Sequence, residues 1–385
     1  MRKKILFSAS VFHGVNDAAT LTVPMVFPLL YGLGFIITKY AHIGILSNLG
    51  FLITIVFQLI VANFAHRYEY RDLLVLSLAG ISCSLILVTL SRSFITFLLF
   101  YLILRVFASV YHSVGVATVS RSHPDRAMDF AMGVQSASGN LGVFLSFIAA
   151  GFLAQNFGWS SPLFLLAGVC LVLGIPSYWA VRRISTKNEA YHAPDSQSWR
   201  RAFKETSKYF PGFFFGGAGW VTTVFYAPSL LNHKFQIPLG RTGIYLAFWI
   251  AIGTVMPYLY GYLSLKFGRK TIAMSGFIGS TVFLIFLGTA RVKEVAVVSM
   301  ILYGAFLFMI YPAMQSFVGE KVSPSLHTLA FSIVANVQML AGALVSLAVG
   351  FLSDAFGISS PFIFLSVLSL FSSIYFFFEK NNPSY

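Results

Sequence analysis

Gly-Phe-Leu-Ala-Gln-Asn-Phe-Gly-Trp-Ser-Ser-Pro, residues 151–162, returns as Gly-Phe-Leu-Ser-Asp-Ala-Phe-Gly-Ile-Ser-Ser-Pro at 350–361, 199 positions later. Residues 62–71 fall on 261–270 at the same offset, and Pro28 falls on Pro228 at an offset of 200. About half the chain is therefore a copy of the other half. A fixed internal offset of this length marks a repeated structural unit. In an apolar chain it points to two parallel membrane halves with a site near mid-membrane between them.

Composition supplies the membrane. Of 385 residues, 57% are hydrophobic and 10% charged, where a soluble domain carries about 25% charged residues. In lipid every backbone polar group must be satisfied within the protein, which leaves helices or a closed barrel. The apolar segments run to about 20 residues or more, twice the length of a barrel strand, so helices are expected. The net charge of +14 would point to nucleic acid in a soluble protein. Here the basic residues cluster in alternate short loops, as the positive-inside pattern requires, and no nucleic-acid partner is expected. Cys83 and Cys170 lie in apolar segments and read as core residues. Arg2-Lys3-Lys4 precedes an apolar run that contains His13 and Asp17 and continues to about Leu33. It reads as an uncleaved first helix, not a signal peptide.

Twelve spans are expected, at 6–33, 41–65, 73–90, 94–119, 128–154, 160–181, 209–232, 240–265, 271–289, 293–318, 325–353 and 360–378. The longest polar stretch, 182–208, links an N-terminal half (1–181) to a C-terminal half (209–385). With the N-terminus inside, nineteen Lys/Arg fall on the cytoplasmic side and six on the other, with Arg105 inside a span. Both termini are therefore expected in the cytoplasm of a bacterial cell, with the chain in its inner membrane.

Buried charge marks the candidate site. Eleven of twelve acidic residues lie in loops, at span ends or in tails, and the exception is Asp17. Among the basic residues only Arg105 is deep in a span, and His13 and His112 also lie inside spans. A charged group at mid-span costs about 2.5–3.5 kcal/mol to insert, so it marks function or a fixed pair. His13 and Asp17 are four apart and share a helix face; Arg105 and His112 are seven apart and share another. At ~1.5 Å per residue, His13 and His112 stand at similar heights, with Asp17 between His112 and Arg105. One reading is a fixed Asp17–Arg105 ion pair. A second is a proton site using Asp17, His13 or His112, since a carboxyl and an imidazole change protonation with their surroundings. Arg105 then meets an anionic group on the solute. A third is a metal site of His13, Asp17 and His112, whose donor types suit a divalent transition metal.

These residues resemble the major facilitator superfamily over essentially the whole chain. Its loop signature G-x-L-x-D-R-x-G-R-K is matched by Gly261-Tyr262-Leu263-Ser264-Leu265-Lys266-Phe267-Gly268-Arg269-Lys270. The resemblance implies a cytoplasmic gate at Gly261, Lys266, Gly268, Arg269 and Lys270. In the first half the signature has decayed, with His66 where the Asp belongs. Phe12-His13-Gly14-Val15-Asn16-Asp17 resembles the H-x-x-N-D start of the fosmidomycin-resistance group of efflux transporters. Tyr111-His112, Arg126-Ala127-Met128 and Gly139-Asn140-Leu141-Gly142 also fit that group. The implied fold is all-α, with twelve transmembrane helices in two pseudo-symmetric six-helix bundles.

The second half carries no deep charge. Gly216, Gly217 and Gly219 beside Trp220 allow close helix approach. Trp220, Tyr226, Trp249, Tyr303 and Tyr311 are candidates for an aromatic wall, and Tyr311 aligns with His112 at the 199 offset. Asn16, Gln135, Gln315 and Asn336 are further candidates for solute contact. No Gly-x-x-x-x-Gly-Lys-Ser/Thr is present, so an ion gradient is the expected energy source. The expected activity is proton-coupled efflux of a small organic solute by alternating access in a monomer without cofactor. Transport of a transition metal or its chelate is the alternative, and a receptor without transport is a third reading. No nucleophile–base pair points to an enzyme.

Overall fold

The computed structural model describes residues 2–123, 126–185, 195–323 and 326–378. Side chains of 126–129 and 328 are outside this description. So are Lys187, Glu189 and Lys380 of the charge distribution, and the side chains of Arg126, Ala127 and Met128. Each expected span is a helix: α1 (Arg2–Leu33), α2 (Tyr40–Phe64), α3 (Tyr70–Thr89), α4 (Phe94–Ser122), α5 (Arg126–Phe157) and α6 (Ser161–Val181). After the polar stretch come α8 (Phe210–Ser229), α9 (Leu239–Phe267), α10 (Arg269–Thr289), α11 (Lys293–Lys321), α12 (His327–Phe356) and α13 (Ser360–Phe378). A further helix, α7 (Ser196–Thr206), lies where the sequence reading has only a linker. It is eleven residues of mostly polar character, too short and too charged to register as a span.

Ten of the long helices are apolar enough to cross a membrane; α1 and α8 are the two that fall short. They are the opening helices of the two sequence copies, and both are mostly buried. A helix surrounded by protein needs no lipid-facing side, so α1 can carry Ser, Thr, His, Asn and Asp, and α8 can carry four glycines.

The chain forms two compact units. Unit 1 holds Met1–Thr38, Leu49–Tyr191 and Pro238–Ala247; unit 2 holds Lys39–Asn48, His192–Ile237 and Phe248–Tyr385. Within unit 1, α1 runs against α5, where Gly14 and Gly142 bring the backbones together. A Cβ at Gly14 would stand 2.8 Å from the Ser138 carbonyl oxygen. Within unit 2, Gly217 and Gly342 do the same for α8 and α12.

The quoted repeat has a structural purpose in both units. In unit 1, Gln155 Oε1 accepts the backbone N–H of Gly240 (2.9 Å), in the first turn of α9. In unit 2, Asp354 accepts the backbone N–H groups of Tyr40 (2.7 Å) and Ala41 (3.0 Å), in the first turn of α2. Gln155 and Asp354 are 199 apart, as are Ala41 and Gly240. First-turn N–H groups have no partner inside their own helix, so these side chains cap them from outside. Gly151 in unit 1 and Gly350 in unit 2 stand beside the capped turns, where a Cβ would meet Leu239 and Ala41 respectively.

The loop signature is a junction in unit 2. Gly268 has φ +83°, which a side chain resists, and it opens α10. Arg269 pairs with Glu320 at the end of α11, and Lys321 approaches the same carboxylate at 3.0 Å. Lys270 reaches the Phe377 carbonyl at the end of α13 (3.4 Å). In unit 1, Arg71, 199 positions before Lys270, donates to the Ile184 carbonyl just after α6. A cation at a helix C-terminus complements its unpaired carbonyls.

Candidate functional site

The candidate site lies in unit 1, on α1, α4 and α5. His13 is buried at 8% exposure, against Asp17, one turn along the same helix. His13 Nε2 is 3.1 Å from Asp17 Oδ2. Its other nitrogen, Nδ1, is 2.8 Å from the Gln135 carbonyl oxygen on α5. A carbonyl only accepts, so Nδ1 carries a hydrogen and donates it. The ring stacks on Tyr111 of α4, with centroids 4.5 Å apart and planes 13° apart. Gly139 of α5 also stands close to the ring; a Cβ there would be 2.6 Å from His13 Cε1.

Asp17 has further neighbours. Asn16 Nδ2 donates to Asp17 Oδ1 (3.1 Å), and His112 Nε2 of α4 stands 3.6 Å from the same oxygen. The His112 ring meets His13 edge-on at 5.6 Å. Gln135 Nε2 donates to Tyr111 Oη (2.8 Å), so Gln135 holds the imidazole through its backbone and the stacking ring through its side chain. Asp17 and His112 keep side-chain exposures of 20% and 44%, so the cluster is reachable.

The geometry has one chemical consequence. With Nδ1 occupied, Nε2 faces a carboxyl oxygen at hydrogen-bond distance, and one hydrogen must lie between them. It sits either on an imidazolium donating to a carboxylate or on a carboxylic acid donating to a neutral ring. Without it, a ring lone pair would face a carboxylate, and the contact would be repulsive. The pair therefore gains or loses a proton together with its geometry.

Arg105 is placed differently from an Asp17 partner. Its Nε donates to Thr54 Oγ1 (3.0 Å) and to the Gly50 carbonyl (3.3 Å) on α2, and its guanidinium lies 4.7 Å over the Phe51 ring. Asp17 has its close charged contacts with His13 and His112 among the described residues, so the expected Asp17–Arg105 ion pair is not formed. Arg105 is 6% exposed, and its terminal nitrogens have no hydrogen bond or ion pair among the described residues. Equal height along neighbouring helices is therefore insufficient: from the α4 face that gives His112 to Asp17, the long Arg105 side chain reaches Thr54 and Gly50 on α2.

Several other expected solute contacts have partners within the protein. Tyr226 is fully buried and donates to the Ser346 carbonyl (2.8 Å), tying α8 to α12. Asn336 spends its amide on the Ser332 carbonyl of its own helix (2.9 Å). Gln135 is 2% exposed and works inside the cluster. Trp220 and Gln315 are half-buried in unit 2, and Tyr311 is 39% exposed there, edge-on to Phe213 at 6.1 Å. Trp249 and Tyr303 are fully buried. Among the described residues no group of three His, Cys, Asp or Glu side chains is arranged to hold a metal ion. Tyr111, Gly139, Gly50 and Thr54 have roles that spacing did not reveal; the sequence names Tyr111 and Gly139 only inside motifs.

The sequence model described as Major Facilitator Superfamily matches residues 6–346, and again 248–384. An uncharacterized MFS-type transporter of Methanocaldococcus jannaschii is 25% identical over 182 residues, 46% of this chain and 45% of that protein. The chain thus aligns with under half the length of that relative. A bacterial homolog of the human lysosomal transporter Spinster, inward-facing and occupied, has a similar structure, with TM-score 0.86 and 14% identity over 98% of this chain and 96% of that one. The nucleoside transporter NupG is similar at TM-score 0.82 and 11% identity, over 98% of this chain and all of that one. At such identities the likeness is one of fold.

Proposed function

We propose that this chain, which belongs to the major facilitator superfamily, couples a proton to the movement of a small organic solute through the His13–Asp17 pair. As a member of that family it is a multi-pass membrane transporter and not an enzyme. One observation carries the proton reading: a single hydrogen must bridge His13 Nε2 and Asp17 Oδ2 at 3.1 Å while Nδ1 is held by a carbonyl. Loss of that hydrogen makes the contact repulsive, so protonation is tied to the side-chain arrangement. His112, 3.6 Å from Asp17 and more exposed, is the relay by which the proton enters or leaves. Arg105 receives an anionic group of the solute, since Thr54 and Gly50 fix its Nε and leave its terminal nitrogens free. Asn16, Tyr311, Trp220 and Gln315 are the remaining proposed solute contacts.

Efflux across a bacterial inner membrane, with cytoplasmic termini, two six-helix halves and monomeric action, completes the reading. Its support is the Lys/Arg distribution, the repeat and the H-x-x-N-D resemblance on α1. The gate residues Gly261, Lys266, Gly268, Arg269 and Lys270 are proposed to act through the Arg269–Glu320 junction. The metal alternative has less support, because among the described residues no group of three His, Cys, Asp or Glu side chains is arranged to hold a metal ion. Fold likeness chooses no solute, since one fold serves many.

The test is uptake and counterflow in liposomes with an imposed pH gradient. Asp17→Asn should abolish gradient-driven flux at near-normal expression. Flux equal to the parent's removes Asp17 from the mechanism. Arg105→Ala should weaken transport of anionic solutes more than neutral ones; equal loss makes Arg105 structural.

A further inference from the structure

The linker helix α7 is the strongest unassigned surface. From 196 to 209 the chain carries Arg200, Arg201, Lys204 and Lys208 against one acid, Glu205. One face of α7 is spent on unit 2: Ala202 and Thr206 are buried. Glu205 accepts the Ser323 backbone N–H (2.9 Å), in the connection between α11 and α12. Beside that face stand Trp199 and Phe203, four residues apart and 37% and 54% exposed. At 100° per residue, Arg200 and Lys204 form the next stripe round, and both are exposed. Phe203 packs edge-on against Phe210, the first residue of α8, with ring centroids 5.2 Å apart. The helix thus lies where α8 begins, α11 ends and α12 begins, which is the level of a membrane surface.

Aromatic and basic stripes side by side match the two layers at that level. Trp and Phe prefer the boundary of the acyl chains, and Lys and Arg meet the phosphates above it. A soluble protein partner would not place exposed Trp and Phe at the mouth of a membrane helix. We infer that α7 docks on anionic phospholipid headgroups, with Arg200 and Lys204 on the phosphates and Trp199 and Phe203 at the acyl boundary. The inference does not depend on which solute the protein carries or on its coupling to protons.

The test uses the purified full-length chain in neutral detergent. Phosphatidylglycerol and phosphatidylcholine are titrated in turn, and bound lipid is read by native mass spectrometry. The parent should favour phosphatidylglycerol. The R200Q/K204Q double variant should lose that preference by roughly fivefold per charge, about thirty-fold for the pair. An R92Q/R291Q control, with two basic residues outside α7, should keep it. A double variant that binds phosphatidylglycerol like the parent overturns the inference, as does displacement of the lipid by inorganic phosphate. Bilayers with acyl chains brominated near the headgroup give an independent reading. Trp199, isolated as the difference between parent and W199F, should be quenched; an unquenched Trp199 equally overturns it.

Discussion

Gly139→Ala is the sharpest probe of the His13 cradle. The imidazole has Gly139 of α5 close by and stacks on the Tyr111 ring, 4.5 Å away. A Cβ at 139 would stand 2.6 Å from Cε1 and 2.8 Å from Nε2, where ordinary contact begins at 3.4 Å. The ring must give way by about 0.8 Å, within a site where it is already stacked on Tyr111. A slide of that size takes Nε2 from 3.1 Å to beyond hydrogen-bond reach of Asp17. Losing one hydrogen bond to a charged partner costs about 1.5–3 kcal/mol, or roughly ten- to a hundredfold in the equilibrium that tethers the proton. Replacing a mid-helix Gly by Ala returns about 0.5–1 kcal/mol to the fold, so the net loss of stability should be about 0.5–2.5 kcal/mol. Gly133→Ala is the matched control on the same helix, since no atom lies within 4 Å of its new methyl. Counterflow in liposomes across a pH series should show depressed, pH-shifted transport for Gly139→Ala alone. If both variants transport alike with one pH profile, the cradle has no part in coupling.

Gly268→Ala should lower thermal stability by about 1–3 kcal/mol from its φ of +83°, whereas Gly261→Ala, on a helix with open space beside it, should be neutral or stabilising. Tyr226→Phe should lose about 1 kcal/mol of stability, with its hydrogen bond to Ser346, and leave solute affinity unchanged in a binding assay. Asp354→Ala should destabilise more than Gln155→Ala, each by about 1 kcal/mol per cap, because Asp354 holds two N–H groups and Gln155 one. The backbone N–H of Ser198 holds the Asp195 carboxyl below its usual range, so the cap on α7 persists above that range. It is lost as pH falls through the lowered value, and Trp199 emission should report the fraying at that lower pH.

Ten of the twelve long helices were legible because length and apolarity demand them; α1 and α8, which fall short of that, open the two copies of the repeat. Helix α7 was not, since eleven residues with four charges satisfy no hydropathy window. The facing of His13 and Asp17 could be read from their spacing on one helix. What Arg105 touches could not: spacing fixes its height and face on α4, while the direction its long side chain takes is set by the acceptors on α2. Tyr111 stands in a sequence motif, but its stacking on His13 has no mark there, because aromatics make up 17% of the chain. Gln155 and Asp354 sat inside the repeat that decided the fold, yet their capping role needs coordinates, because each partner is a helix far away in sequence.

Those two caps also carry a memory of divergence. Where one copy of the ancestral segment keeps a neutral amide, the other has a carboxylate aimed at a helix start, and only the latter feels the helix dipole as a full charge. Ions in solution screen such an attraction and leave an amide's hydrogen bond nearly untouched. Raising ionic strength should therefore speed amide hydrogen exchange in the first turn of α2 more than in that of α9. Descendants of a single duplicated sequence would then answer the same salt unequally.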